Sequence, residues 1–426
     1  MGKLSHYKKC VILIKCIFYS AIIKINLYLC IKKLFSMESL IKSFKDLLSL
    51  TPLDFKRYLY SEIAWGERML GIVGPRGVGK TTMLLQYIKE NLDVNETLYV
   101  QADDMYFANH TLLELAEAFS KNRGKYLFID EIHKYSAWSQ SLKSIYDYFP
   151  QMKVVFTGSS ILEILKGSAD LSRRALMFKL QGLSFREYLF FFHNISVETY
   201  SLQDILEHKT DNFPVRHPLP LFKDYLRRGY YPFGMNDTMF LHRLNQVIIQ
   251  TLETDIPMYA NMNVSTGKKL GKLLKIISQA VPFKPNFTKI AGMLEASRNN
   301  IDDYCHYMEL AGLIMQLRNM GEGIGQLGKI DKVYLDNTNI IFALAEQQAE
   351  IGNIRETLFF NQMRVKNKVF CSSKADFNIN NITFEVGGKS KSQEQIKDLK
   401  NAFIVKDDIE YGYQNIVPLW AFGLNY

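Results

Sequence analysis

The chain has 426 residues, 47% of them hydrophobic and 22% charged, with 52 Lys and Arg against 43 Asp and Glu for a net charge of +9. This composition excludes a collagen-like, disordered or disulfide-scaffold protein, and the length suggests two to four domains. Residues 1–36 hold seven Lys and no acid, so residues 37–426 carry only +2 and the net charge favours neither a nucleic-acid nor a membrane partner.

Residues 1–36 form a separate leader with three of the five cysteines, Cys10, Cys16 and Cys30. Lys15, Lys24 and Lys32 break its apolar run and no small-residue cleavage site follows, which argues against a secretory signal. A membrane span would bury Lys15 and Lys24 at a few kcal/mol each (about 3 on insertion scales). The stretch therefore reads as sequence upstream of a start at Met37-Glu38-Ser39, with a membrane-associated helix as the alternative. Cys305 and Cys371 stand alone, without a CxxC or His/Cys cluster, as expected of reduced thiols in a cytoplasmic protein.

Residues 37–183 alternate short apolar runs with helical patterns, the signature of an α/β domain with a parallel sheet. Strands are predicted at Met69–Val73, Thr97–Gln101, Tyr126–Ile129, Lys153–Thr157 and Ala175–Leu180, with helices over Thr81–Glu90, Thr111–Asn122 and Trp138–Phe149. After the first strand, Gly74-Pro75-Arg76-Gly77-Val78-Gly79-Lys80-Thr81 fits GxxxxGK[ST] without a mismatch. Its glycines let backbone N–H groups turn inward on phosphates, and the following helix presents its positive end. Lys80 reaches the β and γ phosphates, the Thr81 hydroxyl holds Mg²⁺, and Thr82 continues the nucleotide-binding set.

Tyr126–Ile129 delivers Asp130 and Glu131 at a strand tip, where open α/β sheets place ligands. Asp130 is expected to hold the Mg²⁺ shell and Glu131 to activate water, while His133 reads as a structural hydrogen-bonder. Thr157 and Ser159 at the next strand tip both qualify to sense a γ-phosphate. Arg173 and Arg174 read either as an arginine finger, acting in cis or from a neighbouring subunit, or as a surface pair. No [NT]KxD follows a strand of this domain, which favours adenine over guanine.

These residues resemble a prokaryotic AAA-type ATPase family of unassigned role. The resemblance rests on Gly74–Thr81, Phe128–Lys134, Phe156–Ser160 and Asp170–Arg174, and extends to Leu183-Ser184-Phe185-Arg186-Glu187-Tyr188. It implies a five-stranded parallel core, ATP with Mg²⁺, and often a homo-oligomer. Family members carry a Gly-Gly-aromatic-Pro turn; here the sequence is Arg228-Gly229-Tyr230-Tyr231-Pro232, with one glycine displaced or lost.

Residues 184–275 read as a helical lid or linker and 346–426 as a small α/β domain, and the resemblance implies a winged-helix-like domain over 276–345. It also implies that 346–426 is a restriction-nuclease-like remnant. Thr288–Leu294, a turn at Glu295-Ala296-Ser297 and a helix from Arg298 to Leu313 read as helix–turn–helix. Arg298, Asn299 and Asn300 would begin a DNA-recognition helix, although Asp302, Asp303 and Glu309 on the same helix would repel phosphate. The alternative is a protein-contact or structural unit. Asp376 and Glu385 with Glu356 suit a nuclease metal site, but Gly387 stands where its lysine belongs and Lys389 lies about 7 Å further along. An inactive remnant is expected. The sequence thus reads as an Mg²⁺-dependent ATPase acting on an unknown macromolecule; the alternatives are a slow nucleotide-gated switch and an ATP-regulated DNA-acting protein.

Overall fold

The computed structural model describes residues 36–158, 171–234, 237–260, 262–279, 282–320, 330–345 and 350–426. The leader through residue 35, Ser159 and Asp170 lie outside these described residues. Among the described residues, no helix is long and apolar enough to cross a membrane.

Five wholly parallel strands form the first sheet: β1 (Met69–Val73), β2 (Thr97–Gln101), β3 (Tyr126–Asp130), β4 (Lys153–Gly158) and β5 (Leu176–Lys179). Their spatial order is β2-β3-β4-β1-β5. The residues of β1 are buried throughout, as in a strand covered on both faces. α1 (Met37–Leu50) starts at the Ser36 cap and lays Leu40, Phe44 and Leu48, one helical face, against the sheet beside β2. Burying each of these side chains contributes about 2 kcal/mol. α2 (Lys80–Asn91) follows β1, α3 (Leu112–Lys121) opens with a Thr111/Glu114 capping box, and α4 (Trp138–Tyr148) buries Trp138, Leu142 and Ile145.

The strand order decides where chemistry can occur. β1, which runs into the phosphate loop, and β3, which ends in Asp130-Glu131, are separated only by β4. The C-terminal tips of all three therefore open on one crevice.

Helices dominate the next stretch: α5 (Phe185–His193), α6 (Leu202–Leu206), α7 (Leu219–Arg228), α8 (Phe240–Gln250), a π-helical turn at Thr251–Asp255, α9 (Ile256–Ala260) and α10 (Val264–Gln279). α10 runs through residue 275, at which the sequence reading divides the helical region from the next unit. α11 (Phe287–Leu294) and α12 (Arg298–Leu310) form the expected helix pair, with Ser297 capping α12 and Ile301, Tyr304, Cys305 and Met308 buried. Antiparallel β6 (Ile314–Arg318) and β7 (Ile330–Leu335), then α13 (Thr338–Leu344) and α14 (Ile351–Met363), lead to a second sheet. That sheet contains β8 (Val369–Cys371), β9 (Phe377–Ile379), β10 (Ile382–Gly387), β11 (Ala402–Lys406) and β12 (Ile416–Pro418), in sequential spatial order. One continuous apolar core runs from Leu40 to Leu424 through all these parts.

Candidate active site

The phosphate loop connects β1 to α2. Gly77 and Gly79 have φ of +83° and +96°, values that a side chain would strain. Lys80, at the first turn of α2, is buried and donates hydrogen bonds to the carbonyls of Gly74 and Pro75, both at 2.9 Å. Burial pulls its pKa down to about 8, against the upward pull of Glu131 and Asp130. A buried ammonium with one N–H beyond those two bonds is poised for an anion.

Asp130 is 1% exposed and is the hub of the crevice. It accepts the Thr81 hydroxyl at 2.6 Å and the Tyr99 hydroxyl at 2.8 Å, and it also accepts the Thr157 hydroxyl. The Glu131 N–H donates at 3.2 Å to both the Asp130 carboxylate and Thr157 Oγ1. Thr81 and Asp130, the two residues expected to hold a metal, are thus in direct contact. Thr157 commits its proton to Asp130, so its contact here is with the carboxylate that would hold the metal. Ser159, its alternative, falls outside the described residues.

Glu131 leaves β3 with φ of +53°, a left-handed conformation costing a non-glycine residue about 1–2 kcal/mol. Its carboxylate lies 3.5 Å from His133 Nε2. Burial pushes His133 down to about 4, although Glu131 draws the other way, so the imidazole is neutral near pH 7; its Nδ1 is buried without a partner among the described residues.

Two supports of the loop were missed from sequence. Arg57 is buried and donates to Glu187 through Nε at 3.0 Å and through Nη2 at 3.1 Å. The same guanidinium donates to the Val78 carbonyl in the loop, to Gln181 O at 2.7 Å and to Gly182 O at 2.9 Å. Glu187 also closes the capping box of α5 with Ser184, so the Leu183–Tyr188 element clamps the back of the phosphate loop. The only sequence signal was that element's position after the last strand; nothing marked Arg57 as its partner.

Phe233 is the second support. It follows the Tyr230-Tyr231-Pro232 turn, and its ring lies so close to Gly77 that a Cβ there would stand 2.6 Å from it. Pro75 of the loop likewise packs against Gly312, after α12. Arg76 and Glu131 both act electrostatically on Asp255 of the π-helical turn, whose carboxyl burial pushes up. Beside the loop, a cavity of about 650 Å³ is lined by Phe55, Gly79, Thr82, Met83, Phe190 and Pro232, among others. A mainly apolar cavity lined in part by Thr82 suits a flat heterocycle.

Arg174 pairs with Asp147 at 3.2 Å, and Arg173 is exposed. Both precede β5, which pairs with β1 and begins level with Leu70 near its start, at the opposite end of the strands from the phosphate loop. The described fold therefore brings neither arginine to this chain's own loop, because the four residues of β1 from Leu70 to Val73 span about 10 Å.

In the C-terminal part, Lys332 Nζ bridges Asp376 at 3.1 Å and Glu356 at 3.6 Å. Tyr334 donates to Glu356 at 2.7 Å. β10 ends at Gly387, so Lys389 does not continue the strand; Lys391 instead folds back over Gly387 and pairs with Glu385. Lysines thus pair with all three carboxylates, and among the described residues no group of three or more His, Cys, Asp or Glu is arranged to hold a metal. Arg298, Asn299 and Asn300 are exposed at the start of α12.

Residues 66–189 match the family model described as an AAA domain, and residues 219–350 match a domain of unknown function, DUF8612. An uncharacterized protein of Methanocaldococcus jannaschii is 26% identical over 373 residues, covering 78% of each chain. A Walker-type ATPase of Pyrococcus abyssi is similar in structure at 11% identity and TM-score 0.41, covering 70% of this chain and 99% of that one. The Hsp104–ADP complex of S. cerevisiae gives 17% identity and TM-score 0.26, over 65% of this chain and 40% of that one. With its β2-β3-β4-β1-β5 parallel sheet and its phosphate loop, the chain carries an AAA-type P-loop ATPase domain.

Proposed function

We propose that the protein is a cytoplasmic ATPase that hydrolyses ATP with Mg²⁺ and turns the nucleotide state into movement of its C-terminal units against a macromolecular partner. The observation that carries this reading is the Asp130 carboxylate, held at the crevice by Thr81, Tyr99 and Thr157 next to the phosphate loop. A hydroxyl and a carboxylate oxygen 2.6 Å apart are the hard donors that suit Mg²⁺. When bound there, Mg²⁺ supplies charge neutralisation on the phosphate oxygens.

The residues divide the remaining work. Backbone N–H groups of Gly74–Thr81 cradle the phosphates, and Lys80 meets them with its ammonium. Glu131 would orient the attacking water and accept its proton, with neutral His133 fixing the carboxylate. The apolar cavity beside Thr82 would take adenine. Arg173 and Arg174 would serve the site of a neighbouring copy, a role that suits their position before the N-terminal end of β5, away from this chain's own phosphate loop. Phe233 on Gly77 and Gly312 on Pro75 offer direct routes from the loop to the downstream units. Those contacts equally favour the second reading, a switch with little turnover. The lysine pairing of Asp376, Glu356 and Glu385 supports an inactive nuclease remnant rather than an ATP-regulated nuclease.

A titration with a fluorescent ATP analogue tests the reading. Wild-type protein should bind it in the presence of Mg²⁺ and Lys80→Ala should weaken binding at least about tenfold, roughly 1.4 kcal/mol. Equal affinity in the two would remove Lys80 from the site and the reading with it.

A further inference from the structure

The charge of residues 37–426, nearly balanced as a whole, is unevenly distributed. Residues 262–300 hold seven Lys and Arg and a single acid, Glu295, for a net of +6. The remainder of residues 37–426 is therefore net negative at −4. This basic block is α10, α11 and the start of α12.

α10 arranges its lysines on one side. Leu270, Leu273, Leu274 and Ile277 are buried, while Lys268, Lys272 and Lys275 are exposed, Lys275 with an interaction of its own. At 100° per residue, positions 268, 272 and 275 fall within an arc of about 60° and span about 10 Å along the helix. Ser265 and Gln279 extend the same exposed stripe, which contains no acid and no aromatic or aliphatic side chain. Lys269, on the flank, donates to the Glu295 carbonyl at 2.7 Å and so fixes α10 beside the turn between α11 and α12. Beyond that turn lie exposed Arg298, Asn299 and Asn300, and exposed Lys289 stands on α11. Of the acids nearby, Glu295 is exposed within the α11–α12 turn itself, Glu253 packs by its backbone on Gly267 at the first turn of α10, and exposed Asp302 and Asp303 lie further along α12.

We infer that the exposed lysine face of α10, with the adjoining α11–α12 turn, is a binding surface for the phosphate backbone of duplex DNA. Duplex DNA carries one negative charge per ~1.7 Å of axis, so a stripe of ~10 Å faces several phosphates at once. Lysine suits this task as a point charge, and contacts of this kind position a duplex without reading its sequence. The polar side chains at the start of α12 are of the types that reach base edges, whereas Asp302 and Asp303 keep the rest of α12 from lying along phosphates. An anionic membrane is a poorer match, because the stripe lacks the apolar anchors that interfacial helices bury. The inference does not depend on ATP hydrolysis, since none of these lysines belongs to the phosphate loop.

Fluorescence anisotropy of a labelled mixed-sequence duplex of about 25 base pairs, titrated with the full chain across a range of salt, tests the surface. The variant carries Lys268→Gln, Lys272→Gln and Lys275→Gln together; all three side chains are exposed, so its melting temperature should match wild type. Loss of two to three phosphate contacts should weaken binding at least about tenfold near 0.1 M salt and reduce the slope of log K against log salt by about 1.8 to 2.7. Wild-type binding to the duplex with an unchanged slope in the variant overturns the inference. So does an absence of duplex binding, or binding only to phosphatidylserine vesicles or to polyglutamate run alongside. ATP-analogue binding by the same preparations separates this result from the fate of the ATPase reading.

Discussion

Replacing Arg57 by methionine tests whether the phosphate loop is held from behind. The guanidinium is enclosed, with side-chain exposure of 4% against 1% for its partner Glu187. Its removal leaves the Glu187 carboxylate buried with only the Tyr58 N–H at 2.6 Å and its own α5 cap for company, and it frees the Val78 carbonyl. Breaking one side of such a buried pair costs about 3–5 kcal/mol. At about 2–4 °C per kcal/mol, the melting temperature should fall by about 6–20 °C. Replacing both Arg57 and Glu187 by methionine removes the orphaned charge, and what remains is chiefly the lost cap, about 1–2 kcal/mol. Thermal melts of both single variants and the double variant give the coupling energy, expected to exceed about 2 kcal/mol. ATP-analogue affinity of Arg57→Met, measured below its melting transition, should drop about tenfold as the Val78 backbone loosens. Additive single and double variants, or a melting temperature within a degree of wild type, would refute the clamp.

Three further outcomes follow from the same geometry. Lys80 is held near a pKa of about 8 by burial, below its ordinary 10.5. Between those values the unfolded chain binds more protons, so stability rises with pH across about 8 to 10.5, by up to about 3 kcal/mol; Lys80→Met should abolish that rise and stabilise the nucleotide-free protein at pH 7, as read by melts from pH 7 to 10.5. His133, pushed by burial to about 4 from 6.5, resists protonation when folded, so the protein should lose stability as pH falls from about 6.5 to 4. His133→Gln should remove that part of the acid sensitivity in chemical-denaturation curves at pH 7 and pH 5. Gly77→Ala meets both a φ of +83° and the Phe233 ring, so it should cost at least about 1–2 kcal/mol and weaken ATP-analogue binding; adding Phe233→Ala should relieve only the steric share.

The core of the fold was legible because its signals are local. The five apolar runs became the five parallel strands, and GxxxxGK[ST] and the Asp130-Glu131 tip came together across β4. Arg57 was not legible, since its partner Glu187 is 130 residues away and no motif in the sequence includes Arg57. Phe233 was hidden for a similar reason: its contact with Gly77 depends on how the Tyr230–Pro232 turn returns to the loop. The nuclease-like lysine was sought at strand parity, at Lys389, but β10 stops at Gly387 and the turn brings Lys391 back instead. The lysine face of α10 was masked by arithmetic, because a block of +6 disappears into a near-neutral total.

Phosphate release from ATP with Mg²⁺, compared between wild type and Glu131→Gln, is the most direct measurement of the central claim. The account predicts that wild type turns over and that Glu131→Gln binds the ATP analogue as tightly but releases phosphate at least about a hundredfold more slowly, the scale of a lost general base. Equal turnover in the two proteins, with binding intact, would contradict it.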